Sequence, residues 1–507
     1  MSFNSWLQRL RASVAPPPVQ RQHWRRRPLR GATRRLQLEA LEDRSLLSTF
    51  TVLNLADSGA GSLRQAIVDA NANPGADLIG FAPAARQGTI ALTSGDLAIT
   101  DDLRIDGPGA ERLAVNGNDA SRIFRIASGA AVSIDDMTVT HGRAIGPGGG
   151  ILNAGTLTLS HVIVSNNQAI GLPGASVVVD AFGGGVFNAG ILTVSHSSFV
   201  HNRAIGGDGT LAGTGSSALG GAIFSNGTPS APATATVSHS TFVDNRAIGG
   251  AAGSSASRAG AGGAINNSTG TFTVSHSVFR DNQAVGGLEN GVPGGFGAGI
   301  GGAISNVARF GNAILTVSHS TFVDNRAVGG AAGTGSVGQS GRGGAIANYI
   351  FGGVAPPVTV SATATVTGSM ILGNQAIGGA GPTGGTGQGG GIANENGGVL
   401  TVSNSFIALN RAIGGEGDGG NGGNRLGGGI FNGGPSPVGT PSLTLQRSLI
   451  ALNRAEGGVA VGGGSAGLGQ GGGLYIAPGG LASADLWTLI FVNDASTSDD
   501  DVFGILV

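Results

Sequence analysis

A pattern written nine times along the chain is the feature that most constrains its fold. Each copy has an aliphatic residue after a glycine pair and, further on, an asparagine followed two residues later by alanine. The aliphatic positions are Ile151, Val186, Ile223, Ile265, Ile304, Ile346, Ile392, Ile430 and Leu474. The asparagines are Asn167, Asn202, Asn245, Asn282, Asn325, Asn374, Asn410, Asn453 and Asn493. The aliphatic positions of successive copies are 35 to 46 residues apart, a spacing that is typical of solenoids and propellers.

Three short stretches in each copy alternate between apolar and small polar residues. In the fifth copy these stretches are 303–304, 315–318 and 320–323, where Thr and Ser alternate with Leu, Val and Phe. The alternation predicts strands with one buried face, and a propeller blade would need four strands joined by hairpins. The sequence therefore predicts an all-β fold, a parallel β-helix with three short strands per coil. We expect it to be right-handed because parallel β-crossovers strongly prefer that hand.

Stacking of coils about 4.8 Å apart explains the constant positions. The residue three places before each asparagine forms an apolar column, which we predict to be core: Val164, Phe199, Phe242, Phe279, Phe322, Ile371, Ile407, Ile450 and Ile490. The asparagines themselves are predicted to form a structural ladder, amide to amide, that satisfies buried turn backbone.

Composition excludes several functions. The chain has no cysteine, which removes disulfides and thiolate metal sites. Residues 1–48 carry ten Arg against three acidic residues, so the remainder has a net charge of -8 and is not expected to bind nucleic acid. No stretch is long and apolar enough to span a membrane as a helix.

The flanks of the repeats differ from the repeats. Residues 1–48, basic and without periodicity, are interpreted as a disordered or export leader. Residues 49–147 are predicted to form an N-terminal cap and irregular first coils, with a short capping helix in which Leu63, Ala66, Ile67 and Ala70 follow helical spacing. Residues 148–495 form the nine coils, and the polar segment 496–507 is predicted to cap the far end.

Two charged columns are candidates for chemistry. His196, His239, His276 and His319, with His161 before them, could hold a metal. Gly368 and Asn404 occupy the same column further along, which favours a left-handed bend instead. No cofactor is expected, and calcium is the one alternative.

Asp244, Asp281 and Asp324 form the second column, with Arg two residues away. Carboxylates one coil apart could cleave a glycosidic bond or bind calcium. The alternative is a solvated ladder of Asp balanced by Arg. Outside these columns, Tyr349 with Arg342 is the one suggestive spot for carbohydrate chemistry, in a chain with three Trp and two Tyr.

Three motifs resemble known families. Gly-Gly-Ala-Ile, as at 301–304, paired with Phe-x-x-Asn, as at 322–325, resembles the polymorphic outer membrane protein repeats. The segment 62–81, SLRQAIVDANANPGADLIGF, is similar to the SLREA-type block that caps many right-handed β-helix proteins. The segment 38–48, LEALEDRSLLS, resembles the LExLExRxLLS motif near the start of many large bacterial envelope proteins.

These resemblances imply a pectate-lyase-like right-handed β-helix that is exported and takes part in adhesion. We therefore expect a non-enzymatic protein of the cell surface or extracellular space, either adhesin-like or structural in the envelope. Its partner would be a surface polysaccharide or a protein ligand. The alternative is a polysaccharide lyase or glycoside hydrolase, because the pectate-lyase fold is also a right-handed β-helix and fold alone does not fix function.

Overall fold

The computed structural model describes residues 47–173, 178–209, 214–251, 258–288, 297–333, 335–352 and 360–507. Nearly all of the predicted leader, residues 1–46, lies outside this range. The predicted fold is confirmed: the chain winds into a right-handed parallel β-helix, and every pairing between its named strands is parallel.

The three strands predicted for each coil build three long sheets. Sheet 1 follows the glycine pairs and contains Leu97–Ile99, Phe124–Ile126, Ile151–Asn153, Val186–Asn188, Ile223–Asn226, the first part of Ile265–Ser275, Ile304–Ala308, Ile346–Ile350, Ile392–Glu395, Ile430–Asn432, Leu474–Ile476 and Val502–Phe503. Sheet 2 contains Ser48–Val52, Asp77–Phe81, Leu103–Asp106, Ala131–Asp135, Thr156–Ser160, Ile191–Ser195, Ala233–Ser238, the last part of Ile265–Ser275, Ala313–Ser318, Ala362–Thr367, Val399–Ser403, Ser442–Gln446 and Leu481–Ala484. Sheet 3 contains Gly88–Ala91, Leu113–Asn116, Thr138–Thr140, Ile163–Ser165, Ser198–Val200, Thr241–Val243, Val278–Arg280, Thr321–Val323, Met370–Leu372, Phe406–Ala408, Leu449–Ala451 and Leu489–Phe491.

Each repeat also contributes shorter strands that the sequence did not reveal. In sheet 4, every strand except the first starts directly after an asparagine of the predicted ladder. The sheet contains Arg143–Ile145, Gln168–Ile170, Arg203–Ile205, Arg246–Ile248, Gln283–Val285, Arg326–Val328, Gln375–Ile377, Arg411–Ile413, Arg454–Glu456 and Asp494–Ala495. Sheet 5 precedes the glycine pairs and contains Ala181–Phe182, Ala218–Leu219, Gly260–Ala261, Gly299–Ile300, Gly341–Arg342, Gly387–Gln388, Arg425–Leu426 and Gly469–Gln470. Gly417–Asp418 also pairs with Ala460–Val461.

The core is a set of columns in which like residues stack on like residues. Phe199, Phe242, Phe279 and Phe322 are fully buried, and their ring centroids are 4.7–4.8 Å apart with nearly parallel planes. Because each ring packs on its copies in the adjacent coils, the core is continuous along the solenoid and each coil depends on its neighbours.

The predicted capping helix is present as Leu63–Ala72, here called α1. Ser62 caps its N-terminus, where the Ser62 hydroxyl accepts a hydrogen bond of 3.2 Å from the backbone N–H of Gln65. Leu63, Ala66, Ile67 and Ala70 are buried, and α1 packs against the strands Ser48–Val52 and Leu97–Ile99. A short 3-10 helix, Pro83–Ala85, follows. Helix α1 therefore covers strand edges and core at the start of the solenoid.

Candidate functional site

The asparagine column is a continuous hydrogen-bonded ladder inside the solenoid. Each Nδ2 from Asn167 to Asn453 donates to the Oδ1 of the next asparagine over 2.8–3.0 Å. The same Oδ1 also accepts a hydrogen bond from the backbone N–H of the asparagine in the preceding coil. An example is the bond of 3.1 Å from the N–H of Asn282 to Oδ1 of Asn325. All members are fully buried except Asn493, which is 7% exposed. The ladder therefore satisfies turn backbone that water cannot reach.

Two further ladders were missed in the sequence. Buried asparagines two residues after the aliphatic position form one of them: Asn153, Asn188, Asn267, Asn306, Asn348, Asn394 and Asn432. Buried serines form the other: Ser197, Ser240, Ser277, Ser320, Ser369, Ser405 and Ser448. Both had a visible signal, because each set recurs at a fixed offset from the repeated residues.

The histidine column lies at the bend between sheets 2 and 3. His161, His196, His239, His276 and His319 have φ between 46° and 53°, and so do Asn404 and Arg447 in the same column. The five imidazoles are exposed and stack with centroids 4.9–5.1 Å apart. Among the described residues, no group of three or more His, Cys, Asp or Glu could hold a metal. The geometry fits a bend that requires a positive φ.

The aspartate column occupies the next bend, between sheets 3 and 4. Asp244, Asp281 and Asp324 have φ of 51–56°, and Leu409 and Leu452 adopt the same conformation in later coils. Oδ2 of Asp244 lies 3.5 Å from Nε2 of His201, and Oδ2 of Asp281 lies 3.7 Å from Nε of Arg280. Burial raises the pKa of Asp281, and the neighbouring Asp244 and Asp324 raise it further. The column is therefore a repeated bend whose carboxylates repel one another.

Arg342 and Tyr349 come together, and the structure adds a carboxylate that the sequence did not indicate. Nη1 of Arg342, on sheet 5, bonds to Oε2 of Glu395 over 3.0 Å, and Glu395 is the register partner of Tyr349 on sheet 1. Glu395 is 8% exposed, and burial raises the pKa of the Tyr349 phenol to about 12. Arg342, Tyr349 and Glu395 thus form a polar cluster that no other coil repeats in the described chain.

The space in this cluster is small. Nε of Arg342 and Oε1 of Glu395 are buried and have no hydrogen-bond partner among the described residues. The cavity beside them, lined also by Ile300 and Ala393, has a volume of about 10 Å³. A cavity of that size holds about one water molecule, so a sugar ring does not fit.

A second non-repeating feature lies on the outer face of sheet 3. Met370, Phe406, Leu449 and Leu489 are register partners in the last four coils. The same column in earlier coils contains mostly hydroxyl side chains: Thr138, Ile163, Ser198, Thr241, Val278 and Thr321. Trp487 lies beside these four residues and is 74% exposed. Together they line an open depression of about 480 Å³. We call Met370, Phe406, Leu449, Trp487 and Leu489 the apolar row.

Comparison with known proteins finds likeness in structure only. No protein-family model and no curated protein sequence matches the chain. The catalytic unit of the GH87 α-1,3-glucanase from Streptomyces thermodiastaticus strain HF3-3 is similar, with 13% identity and a TM-score of 0.41, over 88% of this chain and 70% of that one. Tailspike protein 3 of bacteriophage CBA120 is 12% identical with a TM-score of 0.34, over 87% of this chain and 59% of that one.

The A-module of a mannuronan C-5 epimerase from Azotobacter vinelandii is also similar, at 11% identity and a TM-score of 0.22, over 88% of this chain and all of that one. Likeness at these identities concerns the fold alone. In the part of the chain that the structure describes, no helix has the length and hydrophobicity needed to cross a membrane.

Proposed function

We propose that the protein is a non-enzymatic β-helix scaffold of the cell surface or extracellular space. It binds a surface polysaccharide or a protein ligand through its lateral faces, in an adhesin-like or envelope-structural role. The apolar row carries this proposal. In this row Met370, Trp487 and Leu489 are exposed and Phe406 and Leu449 are half-buried. A partly exposed run of large apolar side chains that includes a tryptophan is typical of an interaction site, and it replaces the hydroxyl groups found in most of the earlier coils.

The candidate catalytic residues support the same proposal. Asp244, Asp281 and Asp324 occupy a bend that other coils build with leucine or glycine, so their position has a structural explanation. Catalysis requires one asymmetric site in which an acid and a base reach the same bond. The resemblance of the repeats to the polymorphic outer membrane protein repeats, and of residues 38–48 to an envelope-protein motif, favours export.

A surface-labelling experiment tests the location. Intact cells that produce the protein are treated with an external protease and probed with antibodies against the chain. We expect digestion without lysis, together with retention of a cytoplasmic marker. Digestion that requires lysis would contradict the proposed location.

A binding experiment tests the role of the apolar row. The purified full chain is incubated with polysaccharide and outer-layer protein extracted from the same cells, and Trp487→Ala with Phe406→Ala is compared with the control Thr321→Ala in an earlier coil. We expect the double variant to lose at least about tenfold in affinity, and the control to bind like the wild type. Equal binding by all three proteins would refute a role for the row.

The second candidate function is cleavage of a polysaccharide. The cluster of Arg342, Tyr349 and Glu395 favours it, because a guanidinium, a phenol and a carboxylate are groups that lyases and hydrolases use. The closed cavity of about 10 Å³ is the observation against it. The test compares cleavage of polysaccharide by the wild type and by Glu395→Gln. Cleavage by both proteins would exclude this cluster as the active site, whereas cleavage by the wild type alone would support the alternative function.

A further inference from the structure

Arg425 breaks the pattern of sheet 5. Its register partners elsewhere in the sheet are all glycine or alanine: Ala181, Ala218, Gly260, Gly299, Gly341, Gly387 and Gly469. A guanidinium therefore enters a column where all the other described coils have almost no side chain. The side chain is nearly enclosed, and Arg425 as a whole is 6% exposed.

Glu456 breaks the pattern of sheet 4 at the same level. Its column contains otherwise only isoleucine and valine: Ile145, Ile170, Ile205, Ile248, Val285, Val328, Ile377 and Ile413. The two exceptions lie close together, with 3.9 Å between Nη1 of Arg425 and Oε2 of Glu456. Two columns thus depart from the repeat at one place, which marks a local site.

The oxygens of Glu456 are already engaged by other arginines. Nη2 of Arg411 bonds to both Oε1 and Oε2 over 3.0 Å, and Nη1 of Arg454 lies 2.5 Å from Oε1. Nε of Arg454 is also paired, at 2.7 Å from Oδ2 of Asp494. Three guanidinium groups therefore share two carboxylates, which leaves one positive charge in excess.

Arg425 is the one of the three arginines that has no carboxylate oxygen within hydrogen-bond distance. Its distance of 3.9 Å to Glu456 is too long for a hydrogen bond, and its Nε is buried with no partner in the described part of the protein. Nε of Arg411 is buried and unpartnered as well. Burial lowers the pKa of Arg425 to about 10, with Glu456 opposing and Arg411 and Arg454 reinforcing the effect. A nearly buried guanidinium whose Nε donates no hydrogen bond would be stabilised by an anion that accepts from it.

We propose that Arg425, together with Arg411 and Arg454, binds the carboxylate or sulfate group of an acidic polysaccharide. Planar N–H groups of arginine match the two oxygens of such a group. The exposed side chains of Arg411 and Arg454, 43% and 53% accessible, provide the open side of the site. The polysaccharide part of this assignment rests on the proposed function, whereas the oxyanion part rests on the geometry of the three arginines.

The test measures binding of the full chain by titration calorimetry. The probes are polygalacturonate, dextran sulfate, neutral dextran and sodium sulfate. Arg425→Gly installs the residue that other coils carry. The matched control is Arg326→Gln, which removes one positive charge from the Arg/Gln column of sheet 4, where Gln283 and Gln375 occur naturally. We expect Arg425→Gly to weaken binding of the acidic polymers by at least about tenfold, and Arg326→Gln to change it by less than about twofold.

Glu456→Gln makes the test independent of folding defects. Removing this carboxylate frees donors of Arg411 and Arg454, so the affinity for acidic polymers should rise by about threefold or more. If Arg425 and Glu456 are only a structural pair, Glu456→Gln will lower thermal stability without strengthening anion binding, and the proposal is wrong.

The probes separate this site from the proposed function. Loss of polymer and sulfate binding in Arg425→Gly supports both. Sulfate binding that depends on Arg425, without binding of any acidic polymer, supports an oxyanion site but contradicts the polysaccharide ligand. Polymer binding that is unchanged in Arg425→Gly overturns the site and leaves the proposed scaffold function standing.

Discussion

Asn493 donates two hydrogen bonds to a single carboxylate oxygen, Oδ1 of Asp501. The backbone N–H of Asn493 is 3.1 Å from this oxygen and its Nδ2 is 3.0 Å away. In every earlier coil of the ladder the acceptor is the next asparagine, so Asp501 takes the place that a further asparagine would have. An acceptor-only side chain thus ends the ladder without leaving a donor unpaired.

Replacing Asp501 tests this termination. Asp501→Ala should leave the backbone N–H of Asn493 without its acceptor and remove one of the bonds of Nδ2, which keeps Ile450 and Phe491 as acceptors. The last coil should lose about 1–3 kcal/mol of stability. Amide hydrogen exchange in the peptide 489–495 should therefore accelerate, while exchange in the first coils stays unchanged. The control Asp418→Ala changes an exposed aspartate and should leave this peptide unaffected. Unchanged exchange in Asp501→Ala would show that the carboxylate does not hold the end of the ladder.

A break in the middle of the ladder should cost more. Asn325→Ala removes the acceptor of two bonds from Asn282 and the donor to Asn374, in a fully buried place. We expect a loss of about 3 kcal/mol, measured by urea unfolding. Asn312→Ala, at an exposed asparagine that accepts one bond from Ser361, should cost about 1 kcal/mol or less. Equal losses in the two variants would contradict a special role for the ladder.

The histidine bend predicts an unusual order of substitutions. His239 has φ of 48°, so His239→Gly should keep the melting temperature close to that of the wild type because glycine accepts this conformation. His239→Val should cost about 1–2 kcal/mol, since a β-branched residue is strained there. If glycine is as harmful as valine, the stacked imidazoles rather than the bend conformation stabilise this column.

The aspartate column predicts a pH-dependent gain in stability. The pKa of Asp281 is raised in the folded state by burial and by Asp244 and Asp324, so its ionised form opposes folding above the unfolded pKa of about 3.9. Asp281→Asn should therefore raise the melting temperature at pH 7, and the gain should disappear as pH falls below that value. The control is Asp119→Asn, at a bend of similar φ outside the column. A variant that is less stable than the wild type at pH 7 would refute mutual repulsion.

The sequence was sufficient to predict the main features of the fold. An apolar residue three places before an asparagine, as Phe322 before Asn325, recurs nine times, and only stacked coils place such residues in columns. Helix α1 was also predictable, because Leu63, Ala66, Ile67 and Ala70 keep helical spacing. These signals rest on large side chains or regular offsets, which a single sequence displays directly.

Sheets 4 and 5 were not predictable for a physical reason. In Arg326–Val328 the buried residue is Ala327, which is too small to produce a clear alternation. Gly341–Arg342 contains two residues, one of them glycine, so it carries no pattern at all. These strands form because the coils above and below supply backbone partners, and that information lies in the register rather than in local sequence.

The same dependence on register explains why the sequence indicated Arg342 and Tyr349 but not their carboxylate partner. Arg342 and Glu395 are 53 positions apart, in coils of different length, so their contact follows only from the alignment of sheets 5 and 1. Arg425 and Glu456 are likewise visible as exceptions only after each residue is assigned to its column. In a repeat protein, departures from a column are therefore the positions most worth testing for function.

One measurement tests the central claim most directly. The purified full chain is incubated with acidic and neutral polysaccharides from the cells that produce it. Binding is followed by calorimetry, and the molar mass of each polymer is followed by light scattering over a day. The account predicts saturable binding with an unchanged molar mass. A progressive fall in molar mass that Glu395→Gln abolishes would contradict the scaffold function and establish an enzyme.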